Sequence, residues 1–217
     1  MSSRDKILQA LRANRSPFDD VTPRPAAYLP VTQFTEKDLL ARFTAELERL
    51  TGKVHDTPDH ERAIQIVLDL IGTDKTVLGW EDLPLPGLPE ALAAQNIQTV
   101  IPHARHADRA ATLANAEPIR VGITGADAAF ATTGTLVLVT REHQGRVPSM
   151  LPPVHVALLA RQRLFTRMED WLTTEGRAAL LASNSISFVS GPSRTSDIEM
   201  QSILGVHGPG IVHVVVF

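Results

Sequence analysis

Cysteine is absent from the 217 residues. Its absence removes cysteine-ligated iron–sulfur clusters, all-cysteine zinc sites and a thiol nucleophile from the chemistry this chain can perform alone. Redox work would need a centre borrowed from elsewhere. The sequence also lacks an excess of charge of one sign: 21 Lys+Arg against 24 Asp+Glu leave a formal charge of -3, with acids and bases interspersed. Such a surface carries no field of the kind that condenses a polyanion, so nucleic acid is not an expected partner. No apolar run approaches bilayer length. The start, Met1-Ser2-Ser3-Arg4-Asp5-Lys6, leads into an amphipathic segment rather than the apolar core of a signal peptide. A cytoplasmic protein without membrane insertion is expected. Gly-x-Gly-x-x-Gly and Gly-Lys-Ser/Thr are missing, and so is a Gly-x-Ser-x-Gly elbow, which leaves nucleotide binding and a serine triad without their usual motifs.

What is present suffices for one folded domain, because a chain of this length buries roughly 70% of its unfolded surface and needs no disulfide or metal. Residues 1–34 read as a small helix, with Ile7, Leu8 and Leu11 on one face, followed by a proline-rich arm. That arm either packs on its own domain or reaches a neighbouring subunit, and composition does not choose. From residue 35 to residue 217 short strands and helices alternate. Thr35 is a candidate N-cap for a helix ending at Gly52; Asp59–Ile71, Glu90–Gln95 and Arg167–Leu181 have helical spacing, as does Asp197–Leu204 through Ile198, Ile203 and Leu204. Strands are expected at Lys53–His55, Thr76–Trp80, Ile97–Ile101, Val121–Thr124, Gly134–Thr140, Val154–Leu159, Ile186–Val189 and Ile211–Phe217. The alternation predicts an α/β fold with a mostly parallel sheet and helices on both sides, whose ligands gather at the carboxyl ends of the strands.

Four segments can carry chemistry. In Ile186 to Glu199 a buried strand runs through Gly191-Pro192 into a helix start, whose free N–H groups attract anions. Ser193, Thr195 and Ser196 add hydroxyls there, and Arg194 offers a bidentate fork for carboxylate or phosphate. The same residues also make an ordinary N-cap, with Asp197 and Glu199 at the positive end. Gly205-Val206-His207-Gly208-Pro209-Gly210 turns tightly enough for a ligand to approach the backbone, and His207 either exchanges a proton near neutral pH or serves the turn alone. Between Gly122 and Thr135, the hydroxyls and small residues of Thr132, Thr133, Gly134 and Thr135 line a pocket or pack strands together, with Asp127 as a base or acceptor. Finally, Ser149-Met150-Leu151-Pro152-Pro153-Val154-His155 stiffens the entry to a strand, and His155 is read as a satisfied core histidine. His103 and His106 lack a third ligand at metal spacing and read as a solvated pair.

Taken in order, Gly122-Ile123-Thr124 with Asp127, Thr133-Gly134-Thr135, Ser149 to His155, Arg167-Met168, Gly191-Pro192-Ser193 with Asp197-Ile198-Glu199, and Gly205 to Pro209 resemble the LUD-domain proteins, the lactate-utilization protein C family. The resemblance runs from about Thr35 to Phe217. It implies a three-layer fold with a mostly parallel central sheet, similar to the glucosamine-phosphate isomerase, ribose-phosphate isomerase and CoA-transferase group. It also implies a part in oxidising L-lactate to pyruvate, beside partner subunits that carry iron–sulfur clusters, with no cofactor in this chain. Family members often have glutamate where this chain has Thr132, and a hydroxyl does not replace a carboxylate as base. The resulting expectation is a non-redox subunit that binds a small carboxylate or other anion. Gly191, Ser193, Arg194, Thr195, Asp197, Gly208, Thr133, Gly134 and Thr135 would hold the ligand, and His207 and Asp127 would move protons. The alternatives are a stand-alone enzyme on a CoA thioester or sugar phosphate, and a scaffold without a ligand of its own.

Overall fold

The computed structural model describes residues 2–13, 34–102, 109–196 and 202–217. By internal contacts the chain divides into Met1–Gln33 and Phe34–Phe217. The first unit contains helix α1, Ser3–Ala13. It starts in a reciprocal cap: the Asp5 amide donates to the Ser2 hydroxyl at 3.2 Å, and the Ser2 amide donates to the Asp5 carboxylate at 3.0 Å. The proline-rich arm lies outside the described residues, as do His103 and His106.

In the second unit the strands are β1 Lys53–Asp56, β2 Thr76–Gly79, β3 Gln98–Val100, β4 Val121–Gly125, β5 Ala128–Phe130, β6 Thr135–Val139, β7 Val154–Leu159, β8 Leu164–Phe165, β9 Ile186–Val189, β10 Arg194–Ser196, β11 Ser202–Leu204 and β12 Ile211–Val216. The helices are α2 Glu36–Arg49, α3 His60–Ile71, α4 Leu88–Ala94, α5 Arg109–Ala116, α6 Val147–Met150, α7 Met168–Trp171 and α8 Arg177–Ala182, with a π-helical segment Leu172–Gly176 joining the last two. Six strands form one sheet in the order β1-β12-β7-β4-β2-β3, every pair parallel. The α/β architecture with a mostly parallel central sheet is the one the sequence predicts.

Its centre is apolar on both faces because β7 and β12 are covered on both. Val154, Val156 and Leu158 meet Val67 and Ile71 of α3 and Leu88 and Leu92 of α4. Ala157, Leu159, Val212, Val214 and Val216 meet Leu40, Phe43 and Leu47 of α2 and the inner face of a second sheet through Ala129, Leu136 and Leu138. That second sheet, in the order β8-β5-β6-β9, is mixed, and its outer face packs Phe130, Val137 and Val139 against Trp171. Among the described residues, no helix is long and apolar enough to cross a membrane.

Three local readings change. The strands expected at Gly134–Thr140 and Ile186–Val189 do form, but they pair antiparallel in the second sheet. Ala128–Phe130, read as part of a small-residue turn, is a strand between β6 and β8, a place where fully covered small side chains fit. The helix expected at Asp197–Leu204 gives way at Ser202–Leu204 to β11, which pairs antiparallel with Arg194–Ser196 and leaves Ile203 and Leu204 half-exposed. Residues 194–196, read as the approach to that helix, are strand, and Asp197 lies outside the described residues.

Gly122 places α6. A Cβ at this position would lie 1.8 Å from the Pro148 carbonyl oxygen and 2.9 Å from the Pro152 side chain, so the short helix lies directly on β4. Gly122→Ala must push α6 away, and overpacking of this kind costs about 1–3 kcal/mol. Urea unfolding should show a loss at the upper end of that range, and an unchanged midpoint would mean that the contact is soft.

Candidate functional site

The loop that leaves β9 and the loop that enters β12 lie against each other. The Ser193 amide donates to the Pro209 carbonyl at 2.8 Å, and the Gly205 amide donates to the Ser193 carbonyl at 3.0 Å. Antiparallel pairing of Arg194 with Leu204 extends the clasp. At Gly208 a Cβ would stand 3.2 Å from the Ser193 Cβ, so the missing side chain sets how closely the loops meet. Together with α6 they enclose a cavity of about 210 Å³ whose polar lining includes Ser149, His155, Ser190, Ser193 and His207. The cavity sits at the amino ends of β7 and β12, rather than the carboxyl ends expected for such sheets, because α6 leads into β7 and the Gly205–Gly210 loop into β12.

His155 is the innermost of these groups. It is the second residue of β7, flanked in register by Gly122 of β4 and Val212 of β12, and it is wholly buried. Its Nε2 lies 2.8 Å from the Thr124 hydroxyl, which is also wholly buried, while its Nδ1 has no hydrogen-bond partner. Burial pushes its pKa down to about 4, so the ring is neutral at physiological pH. The reading of a satisfied core histidine is thus half right: one nitrogen is paired and the other is not. The signal in the sequence was a polar residue inside the apolar run Val154–Leu159; its partner, Thr124, comes from another strand.

The residues picked from the sequence separate into two groups. Gly191, Ser193, His207 and Gly208 border this cavity. Thr133 and Thr135 reach it only through a relay: their hydroxyls lie 2.7 Å apart, and that of Thr135 is 2.8 Å from the hydroxyl of Ser190. Gly134, at φ +61°, has its Cα pressed on α2, where a Cβ would fall 2.6 Å from the Leu47 amide nitrogen. Gly191, at φ +80°, makes a similar approach, with a Cβ placed 2.9 Å from that of Leu50. Arg194 turns away from the cavity. Its guanidinium donates to the Leu50 carbonyl at 2.6 Å and to the Thr51 hydroxyl at 3.1 Å, closing the C-terminal end of α2, where a cation is favoured. Thr195 lies in β10 opposite Ile203, outside the cavity lining.

Asp127 is not beside His207. Its carboxylate accepts from the Val139 amide at 2.7 Å and from Arg141 at 2.6 Å, and it borders a different cavity of about 150 Å³ with Trp80 and Arg163. Arg141 begins a turn that Trp80 also holds, by donating to the Gly145 carbonyl at 2.9 Å. Asp127 therefore holds a turn in this structure. A third cavity, about 580 Å³, opens beyond Met150 and His207, which line both it and the smaller one, and it carries Arg109 and Arg146. Among the described residues, no group of three or more His, Asp or Glu is arranged to hold a metal ion.

Comparison with known proteins bears on this geometry. The LUD domain family model matches residues 40–217. The chain belongs to the LUD domain family. The chain is also similar to lactate utilization protein C of Shouchella clausii, 33% identical over 157 residues that make up 69% of this chain and 65% of that protein, and of Exiguobacterium sp., 44% identical over 92 residues, 41% of this chain and 40% of that protein. The matched region thus spans less than two thirds of these relatives. A DUF162 family protein from Deinococcus radiodurans shares the fold, with a TM-score of 0.64 at 18% identity over 85% of this chain and 99% of that one. The whole cavity described above falls inside the LUD domain.

Two buried histidines of the LUD domain have lowered pKa values. His213 is pushed down to about 4 by burial, by His55 and by Lys53; its Nδ1 lies 2.9 Å from the Nε2 of His55, across the β1–β12 pair. Both His155 and His213 have folded pKa values below the ordinary 6.5. The unfolded chain therefore binds more protons between these limits. Stability should be complete above about pH 6.5 and fall as the pH drops towards 4, by up to ~1.4 kcal/mol per pH unit for each ring. Urea midpoints measured from pH 8 to pH 4.5 check this, and a flat profile below pH 6.5 would contradict it.

Proposed function

We propose that this chain serves lactate utilization as a cytoplasmic, non-redox subunit that holds a small carboxylate in the 210 Å³ cavity, beside iron–sulfur subunits that carry the electrons. The role is taken from the name that its relatives carry, and the division of labour suits a sequence without cysteine. The observation that carries the binding reading is the clasp of two loops over a cavity whose buried wall holds an unpartnered imidazole nitrogen. A buried polar atom without a partner is rare in a folded protein and calls for one.

The chemistry offered is binding by polar side chains at close range. Ser193 contributes a hydroxyl, His155 a neutral ring and His207 a second imidazole at the mouth. Positive potential comes from next door, where Arg109 and Arg146 line the larger cavity that shares Met150 and His207 with this one. With Asp127 elsewhere and occupied, no acid and base face each other across a bound ligand. The cavity accordingly retains and orients an acid, and turnover depends on the partner subunits.

Titration calorimetry with L-lactate and pyruvate tests the reading. Ser193→Leu, which fills the cavity, should weaken binding at least tenfold, about 1.4 kcal/mol. Arg194→Ala should leave the dissociation constant within about twofold while lowering stability by about 1 kcal/mol, because its hydrogen bonds serve α2. If neither acid gives heat at millimolar concentration, or Ser193→Leu binds as the parent does, the cavity is not the site.

A further inference from the structure

We propose that the cavity of about 580 Å³ is a second ligand site, distinct from the small one, and that it takes a phosphate monoester with an apolar body, held by Arg109 and Arg146. Its lining reaches the carboxyl ends of β2 and β3 through Gly79 and Ile101, the end of a parallel sheet at which ligands gather. The small cavity lies instead at the amino ends of β7 and β12, and the two share Met150 and His207.

Size and lining set the class of ligand. Sites for metabolites and cofactors have volumes of roughly 300–1,000 Å³ and are mostly apolar, with a few polar groups that fix orientation. This cavity falls in that range, and Ile101, Leu113, Val147, Met150 and Leu151 supply its apolar surface. A three-carbon acid would leave most of such a space to water.

The charges set the rest. Among the described residues, Arg109, Arg141 and Arg146 line the cavity against one carboxylate, that of Glu142. Arg141 is committed to Asp127 at 2.6 Å and to Gln144 at 2.8 Å, His143 lies 3.1 Å from Glu81, and Glu142 has a partner of its own. The guanidinium groups of Arg109 and Arg146 make no ion pair or hydrogen bond among the described residues. They belong to different elements, Arg109 opening α5 and Arg146 standing just before α6. An anion held by both therefore bridges the two helices. A phosphate monoester carries about two negative charges near neutral pH and presents three acceptor oxygens, enough for two guanidinium forks, whereas a carboxylate brings one charge and two oxygens.

Titration calorimetry on the full chain with phenyl phosphate, benzoate, phenol and inorganic phosphate tests the site. Phenyl phosphate should bind at least tenfold more tightly than each of the other three. Arg109→Ala and Arg146→Ala should each weaken it at least fivefold. Arg177→Ala removes the same charge from an exposed position on α8 and should stay within twofold of the parent. Ser193→Leu, which changes the small cavity, should also stay within twofold for phenyl phosphate while losing pyruvate. On the parent protein, with no variant needed, phenyl phosphate should shift the backbone ¹H–¹⁵N signals of Gly79, Leu113 and Val147. Benzoate binding as tightly as phenyl phosphate, equal losses in all three arginine variants, a loss with Ser193→Leu as large as with Arg146→Ala, or no binding at millimolar concentration would each overturn the proposal. Failure of the parent to bind lactate or pyruvate would sink the proposed function and leave this site standing.

Discussion

Ser193 uses both of its main-chain groups to hold the two loops together, its amide on Pro209 and its carbonyl on Gly205. The cavity depends on that arrangement, because the loops belong to different elements: one leaves the second sheet at β9, and the other enters the central sheet at β12. Behind the clasp stands the C-terminal end of α2. Gly134 and Gly191 both approach its backbone closely, and Arg194 donates to the Leu50 carbonyl that the helix leaves free. Gly134, Gly191 and Arg194, picked from the sequence as ligand contacts, hold the loops that carry Ser190 and Ser193 against the end of α2.

Much of the architecture was legible because β-branched and apolar runs such as Val154–Leu159 and Ile211–Val216 have few other homes than a strand covered on both faces. Thr35, Asp59 and the helices they cap could be read for the same local reason: the side chain that satisfies the first turn lies within three residues of it. What failed was non-local. Nothing near Arg194 reveals that its partner is the end of a helix at Leu50. Ile198, Ile203 and Leu204 have helical spacing, yet pairing with Arg194–Ser196 draws the last two into a hairpin. Ala128 and Ala129 have little strand preference of their own and are held in a sheet by β6 and β8. His155 was visible as a polar interruption, but its unsatisfied nitrogen appears only once Thr124 is known to take the other one.

The electrostatic character of the site differs from a charged clamp. The formal cations nearby are displaced to the larger cavity or to α2, while the innermost group is a ring that burial keeps neutral. Hydrogen bonds at close range depend on geometry, whereas the field of the arginines beyond Met150 and His207 acts over distance and is screened by salt.

Among the described residues, strand β1 bonds only to β12, through Lys53–Asp56 against His213–Val216. During synthesis the ribosome delivers β1 long before its partner, since His55 and His213 are separated by 158 positions. The central sheet cannot close in the order in which it is made. Until Ile211–Val216 emerges, β7 lacks a neighbour on one side and β1 on both, so the nascent domain carries open hydrogen-bonding edges through most of its elongation. Contacts of such long range form slowly, so the docking of this valine-rich strand between β1 and β7 is a late step in building the central sheet.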